Sequence, residues 1–355
     1  MLGPQLVVRR PPVPTIVPDR LAALAVRIFT ALGVPDDDAG WVATLLVRAN
    51  LRGHDSHGVI RIPQYAGSIR KGETNPRPAV RVLRDTPTTA VIDGDLGLGQ
   101  VVARHATLVA LEKAARHGLA AVGLHRANHI GRLADYAELA AARGFVGMVW
   151  TNAPTAASVV PYGALARRLS TNPLAVAVPG PDRSVAISVD MATSIVAEGK
   201  VRVRRNRKEP LPEGWAVDAA GRPVTDSAGF YGPPRAGLLP MGGHKGTALG
   251  LVVEVLGGIL SGEGAIGDRS GPVHNGTFLL VIEIERFLSL DDFGRQVADL
   301  VAWVKSAEPA PGGPEVLVPG EPEARSEARR RAEGIPVEDE TWRQIEEIAA
   351  ELGVA

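Results

Sequence analysis

The chain has 355 residues, with 39 basic and 39 acidic side chains, a formal net charge of zero, and no cysteine. Balanced charge offers no basic excess to hold nucleic acid or an anionic membrane surface, so neither is an expected partner. The lack of thiols excludes disulfides, thiolate metal ligands and a cysteine nucleophile. At this length, with 45% hydrophobic residues, there is enough apolar material for one large core or two.

Residues 1–19 carry Arg9 and Arg10 among prolines and read as a loose extension without a secretory-type apolar run. The longest apolar stretch, 248–260, is too short to span a bilayer and contains Glu254, so a soluble, cytoplasmic protein is expected. After Pro18, Leu21, Leu24, Ala25 and Ile28 recur at helical spacing up to Gly33. Asp36, Asp37 and Asp38 then open a second helix through Trp41, Leu45 and Leu46, their charges complementing its dipole. A third helical pattern covers 59–69. Beyond residue 76 short strand-like runs appear at 80–83, 90–92 and 120–124, with a helix over 101–117 between the last two. Further strands are expected at 146–150, 175–178 and 184–190.

Residues 214–231, rich in Gly, Pro and Asp, read as a long irregular loop. The helix over 247–261 is apolar nearly all round, which predicts that it lies buried in the core. A strand at 277–284, a Pro/Gly-rich connector at 307–322 and a charged helix at 323–332 follow. A last helix, 339–352, sets Trp342, Ile345, Ile348 and Leu352 on one face. Strands alternating with helices indicate an α/β fold. The expected division is a loose 1–19, a helical segment 20–80, an α/β domain 81–285, and a helical 286–355 that packs back on the first helices.

The densest chemistry lies between residues 53 and 61. His54, Ser56, His57 and Arg61 fall within eight positions, bracketed by Gly53 and Gly58. Histidine exchanges a proton near neutral pH, and arginine grips a carboxylate with two parallel hydrogen bonds. Together they suit a small carboxylic acid that reacts at the neighbouring carbon. Each residue alone could be a cap or a solvated charge; the cluster points to a site.

Other motifs carry less. Gly97-Leu98-Gly99 is followed by Val102 where a dinucleotide fingerprint needs glycine, so it reads as a tight turn. His125 and His129 are four apart, but no glutamate accompanies them and Arg126 lies between, so no metal is expected. Ser56, His57 and Asp190 are the residue types of a hydrolase triad, without a Gly-x-Ser-x-Gly elbow. Gly242-Gly243-His244-Lys245-Gly246 precedes a helix and is either an anion cradle or a plain glycine turn.

In order along the chain, Asn50 to Gly58 with Arg61, Asn128-His129-x-Gly131, Ser170-Thr171-Asn172-Pro173, Asp190 to Ser194, Pro212-x-Gly214-Trp215, Gly243 to Gly246 and Pro319-Gly320-Glu321 resemble the malate/L-lactate dehydrogenase family. That family also includes ureidoglycolate and sulfolactate dehydrogenases and cyclic imino-acid reductases. The resemblance implies an oxidoreductase that uses NAD or NADP on a non-Rossmann mixed-sheet domain, works as a homodimer, and takes a small carboxylic acid. By match, His57 gives or takes the proton at the substrate C2 oxygen, Ser56 and Asp190 support it, and Arg61 clamps the carboxylate. His129 matches a histidine that has the acid/base part in some relatives, so the two histidines compete.

Asn128, His129, Gly131, Met191, Ala192, Thr193, Pro319, Gly320 and Glu321 match cofactor-contacting positions. Thr171 is assigned to the substrate end of the same cleft, and Asn172, Pro173 and Lys245 to its cofactor end. Tyr162-Gly163-Ala164, Ser170 and the basic 165–168 run depart from the family pattern and leave the substrate side chain open. Arg202, Arg204 and Arg205 form a basic run suited to a 2′-phosphate, without deciding NAD against NADP. The alternatives to a 2-oxo/2-hydroxy acid oxidoreductase are reduction of a cyclic imine and a Ser56-dependent hydrolase.

Overall fold

In the computed structural model, which describes residues 14–267 and 271–355, the Val- and Ala-rich runs of the central chain build one seven-stranded mixed sheet. Its order is Arg81–Asp85, Thr89–Gly97, Leu119–Ala127, Asn275–Glu283, Phe145–Asn152, Leu174–Pro179, Val185–Met191. Thr89–Gly97 and Leu119–Ala127 pair in parallel, and all other neighbours are antiparallel. A parallel pair needs a crossover, and helix Gly99–His117 supplies it. That helix lays Val102, Ala103, Ala106, Ala110 and Ala114 on the sheet, all fully buried. The strands expected from the sequence overlap these seven, running one residue beyond them at 80, 184 and 284.

Both chain ends meet in a second apolar cluster. Leu21, Ile28 and Phe29 of helix Pro18–Ala31 and Leu46 of helix Asp36–Leu51 pack with Ile345 and Ala349 of helix Asp339–Glu351. Thr15–Ile16 pairs antiparallel with Ile335–Pro336 and ties the ends directly.

Three features differ from expectation. Residues 214–231 are not wholly irregular: Ala216–Val217 pairs with Gly237–Leu238, and a short helix, Ser227–Tyr231, is capped by the Asp226 carboxylate. Helices Ala134–Ala141 and Glu198–Asn206 were not anticipated. The first is buried almost all round and the second is mostly charged, so neither shows a clean apolar period.

The third is a correction. The apolar helix expected in the core runs from His244 to Val253 and continues as a wide π turn over Glu254–Leu260, but its large side chains face outward. Leu251, Ile259 and Leu260 are 54%, 58% and 54% exposed. Its buried stripe is Gly246, Gly250, Val253, Glu254, Gly257 and Gly258. A Cβ at Gly246 would stand 2.4 Å from the Thr193 carbonyl oxygen, so the glycines let the backbones touch and turn the leucines out. Among the described residues no helix is long and apolar enough to cross a membrane.

Candidate active site

Helix Asp36–Leu51 delivers the chain into the histidine-rich turn, and its Asn50 holds that turn in shape. The Asn50 Oδ1 accepts the Val59 N–H at 2.8 Å, and its Nδ2 donates to Asp55 Oδ1 at 2.8 Å. A Cβ at Gly58 would lie 2.1 Å from Asn50 Oδ1, so only glycine fits beside this brace. From the C-terminal side, Arg330 of helix Glu321–Glu333 grips both Asp55 oxygens, at 2.6 and 3.1 Å. The turn is therefore fixed by Asn50 and Arg330, residues 280 positions apart.

The turn opens on a cavity of about 390 Å³ lined by His57, Arg61, Gln64 and His129 on one side and by Glu198, Arg202, Tyr231 and Arg235 on another. A second cavity of about 200 Å³ holds His54, Ser56, Asp190, Met191, Ala192 and Lys200 in its wall. The two share His57, Gly131, Leu133, Thr171, Pro173 and Ala197. His57 thus stands at the junction.

The His57 and His129 rings stack, with centroids 5.6 Å apart and planes inclined by 16°. Each ring is held through Nδ1. Ser56 Oγ lies 3.0 Å from His57 Nδ1, and Tyr65 Oη lies 2.7 Å from His129 Nδ1. Gln100 Nε2 donates to Tyr65 Oη at 2.8 Å, and burial pushes the Tyr65 phenol up to about 12. The phenol therefore keeps its proton and donates it to His129 Nδ1, which leaves the proton of neutral His129 on Nε2. Neither histidine Nε2 has a hydrogen-bond partner among the described residues. Both rings are held well below the usual histidine range, chiefly by burial and then by the Arg61 charge, so both are neutral at pH 7.

Arg61 is 7% exposed, and its Nε donates to the Ser56 carbonyl at 2.7 Å while Nη1 donates to Gln64 Oε1 at 2.7 Å. Helix Glu198–Asn206 closes over this pair. A Cβ at Gly199 would sit 2.6 Å from Ser56 Cβ and 2.9 Å from Arg61 Nη2, so glycine lets the helix rest on the turn. The same helix brings in Glu198, which accepts from Tyr231 Oη at 2.6 Å and from Arg202 at 3.2 Å. Burial alone would raise the Glu198 carboxyl, but Arg202, Arg61 and Tyr231 outweigh it and hold it below its usual range.

The structure gathers His57, His129, Arg61, Thr171, Gly131 and Pro173 around the first cavity and Ser56, Asp190, Met191 and Ala192 around the second. Asp190 Oδ2 accepts the Ala134 N–H at 2.8 Å; among the described residues no hydrogen bond joins it to Ser56 or His57. Its carboxyl is raised by burial, against the pull of His54 and Arg132. Asn128, Asn172, Thr193, Lys245, Pro319, Gly320 and Glu321 line neither cavity, although Asn128 adjoins His129. Asn128 Nδ2 donates to the Leu96 carbonyl at 2.7 Å, Asn172 Nδ2 to Gly250 O and Glu254 Oε1, and Thr193 Oγ1 to Thr171 O. Lys245 is exposed at the start of helix His244–Val253. Pro319 accepts the Ser188 N–H at 3.0 Å and Gly320 lies against Ser188, while Glu321 pairs with Lys305.

Tyr65, Gln64, Gln100, Glu198 and Tyr231 were not singled out from the sequence, and Arg202 was considered only for a cofactor 2′-phosphate. Tyr65 and Gln64 follow Arg61 by four and three positions, the helical spacing that could have flagged them. Nothing local marks the others. Beneath the second cavity, Arg132 bonds Asp135 at 2.8 Å and Glu138 at 2.7 Å, and Glu138 also receives Arg48, Arg52 and Ser188. Among the described residues no group of three or more His, Asp or Glu is arranged to hold a metal ion.

Comparison with known proteins gives this arrangement a lineage. The family model described as malate/L-lactate dehydrogenase matches residues 16–346. The chain is 37% identical over 344 residues to an L-sulfolactate dehydrogenase of Methanocaldococcus jannaschii, covering 95% of this chain and 97% of that one. It is 39% identical over 336 residues to an L-lactate dehydrogenase of Cupriavidus necator, covering 94% and 96%. The solved malate dehydrogenase of Pyrococcus horikoshii superposes with a TM-score of 0.86 at 35% identity, over 97% of both chains. The chain belongs to the malate/L-lactate dehydrogenase family, whose named relatives are oxidoreductases of CH–OH groups.

Proposed function

We propose that this protein is a nicotinamide-dependent oxidoreductase that interconverts a small 2-oxo acid and its 2-hydroxy acid. The observation that carries this reading is the pair of neutral, stacked histidines beside one buried arginine, in a cavity that meets a second one at His57. The second cavity fits an anionic cofactor. The Lys200 ammonium has no hydrogen-bond or ion-pair partner among the described residues, and Arg132 Nε is buried without one. When bound there, NAD or NADP supplies or accepts the hydride at C2.

The chain's own residues do the rest. Arg61 holds the substrate carboxylate and so fixes C2 in the cavity. In the oxidative direction, neutral His57 takes the hydroxyl proton on Nε2, and Ser56 at Nδ1 steadies the ring as it becomes charged. In the reductive direction, His57 takes a proton from solvent on Nε2 and passes it to the C2 oxygen as hydride arrives at C2, returning to the neutral form. His129, tied to Tyr65, contributes a second N–H to the same oxygen. A depressed histidine pKa suits a base that must be neutral at pH 7.

The same reading takes the cofactor on this largely antiparallel sheet rather than on a Rossmann fold, and puts the site between residues 81–285 and the helical ends, 20–80 and 286–355. The outward leucines of the 244–260 helix support a homodimer, since exposed apolar faces of this kind mark contact surfaces. Loss of reduced-nicotinamide absorbance with NADH and with NADPH, across 2-oxo acids and cyclic imino acids, tests the reading. Turnover of a 2-oxo acid supports it; turnover of imines alone would reassign the reaction to C=N reduction.

A further inference from the structure

Glu254 is a buried carboxylate that the site chemistry has not used. It opens the wide π turn over Glu254–Leu260 and is 4% exposed, yet no lysine, arginine or histidine pairs with it among the described residues. Three N–H groups take the place of a cation. Asn172 Nδ2 donates to Oε1 at 2.8 Å, while Asn152 Nδ2 and the Ile266 N–H both donate to Oε2 at 2.9 Å. A carboxylate accepts on both oxygens and can hold all three at once.

The two asparagines are oriented by this carboxylate. Asn152 Nδ2 also donates to the Gly264 carbonyl at 3.0 Å, and Asn172 Nδ2 to the Gly250 carbonyl at 2.9 Å. Both amide Oδ1 atoms are buried without a partner among the described residues. Donation through nitrogen therefore decides how each amide is turned, although its oxygen stays unsatisfied. The π turn rests on the same strand end: a Cβ at Gly258 would lie 2.3 Å from Asn152 Nδ2.

These asparagines hold the wall that the two cavities share. Asn172 stands in the left-handed region, at φ 39°, between Thr171 and Pro173, which line both cavities. The Pro173 carbonyl accepts the Thr151 N–H at 3.1 Å, which seats that turn on the end of strand Phe145–Asn152. Asn152 itself lines the first cavity, and its carbonyl accepts Asn275 Nδ2 at 2.9 Å. Asn275 Oδ1 in turn accepts the Ile130 N–H at 3.0 Å, next in sequence to His129. A chain of hydrogen bonds thus runs from Glu254 to the shared wall and on to the backbone beside His129.

We infer that Glu254 is a positioning residue, whose carboxylate aligns the 171–173 wall so that cofactor in one cavity meets substrate in the other. This inference rests on the oxidoreductase reading. Glu254 lines neither cavity, so it acts only through the asparagines. Hydride transfer needs both reactants within a narrow range of distance and angle, so a small shift of the wall slows that step. Binding is less affected, because Arg61 and Lys200 lie on other elements and stay in place.

Glu254→Gln tests this, because the amide replaces one acceptor by an N–H donor. Whichever oxygen is replaced, that donor faces either Asn172 or Asn152 and Ile266, so a wall amide must turn away. The intact chain is saturated with its better nicotinamide cofactor, in reduced form, and mixed with a 2-oxo acid. Loss of nicotinamide absorbance in a single turnover then reads hydride transfer itself. The rate should fall by about 10- to 100-fold, the scale of an ångström-sized misplacement. The cofactor dissociation constant and the half-saturating substrate concentration should change much less. Should the glutamine variant fail to fold, Asn172→Gly removes one donor, keeps the left-handed backbone accessible, and should slow the step in the same direction. A wild-type rate in a folded variant, whatever its melting temperature, would overturn the inference, as would a loss confined to cofactor binding. Either result leaves the reaction class intact. No turnover of any 2-oxo acid by the wild type would instead overturn the underlying reading, and the inference with it.

Discussion

The Tyr65 hydroxyl lies 2.7 Å from His129 Nδ1 and receives Gln100 at 2.8 Å, and the proton that burial keeps on the phenol has the histidine nitrogen as its acceptor. One buried phenol thus decides which His129 nitrogen carries the proton, and turns the Nε2–H side of the ring over to a ligand. Ser56 holds His57 by the same nitrogen, Oγ lying 3.0 Å from Nδ1, but with the opposite sense: the base form that takes a proton on Nε2 carries its own on Nδ1 and donates it to the serine.

Tyr65→Phe removes that donor and leaves the Gln100 amide buried without its partner. A stability loss of about 1–3 kcal/mol is expected, readable in urea melts. The kcat should also fall, because the His129 proton is free to move to Nδ1. An unchanged kcat would exclude His129 from the reaction.

His57→Ala and His129→Ala separate the competing histidines. His57→Ala should lose about 100-fold or more in kcat, the scale of a removed acid/base, with the cofactor still bound. His129→Ala should lose less. The reverse order would transfer the proton to His129.

The depressed histidines also predict how stability follows pH. In the unfolded chain each takes a proton near pH 6.5, whereas in the folded chain burial and Arg61 delay this to lower pH. Between those points the unfolded state holds more protons, so stability falls as pH drops below about 6.5 and is unaffected by these groups above it. A His57→Gln, His129→Gln double variant should show a flatter acid limb in denaturant midpoints. An equally steep limb would assign the acid sensitivity elsewhere.

Gly199→Ala sets two effects against each other. Alanine within a helix gains about 1 kcal/mol over glycine, while forcing a Cβ into packed atoms costs about 1–3 kcal/mol. With Ser56 Cβ only 2.6 Å away the clash should win. The strain falls on Ser56 and Arg61, so kcat/KM should drop more than thermal stability does. Full activity in this variant would mean that helix Glu198–Asn206 does not set the clamp.

Much of the site was legible because its chemistry is local. His57, Ser56 and Arg61 lie within six residues, and the glycines around them announce a tight turn. Arg202, Glu198 and Tyr231 were not legible as partners, since only the closing of helix Glu198–Asn206 over residue 56 brings them there. The helix starting at His244 misled for a different reason. Hydropathy counts apolar residues but does not say that the glycines, with Val253 and Glu254, would form the buried face while the leucines turn out. The sheet strands were legible as elements, while the insertion of the late Asn275–Glu283 strand between Leu119–Ala127 and Phe145–Asn152 rests on pairing far apart in sequence.

Hydride transfer to C2 is the central claim, and isotope transfer tests it most directly. The protein is given a 2-oxo acid that it turns over, with NADH or NADPH deuterated at the transferring C4 position, in ordinary water. Proton NMR of the product should show deuterium on C2 and a hydroxyl proton that exchanges with solvent. Protium on C2, with deuterium left on the nicotinamide, would contradict the account.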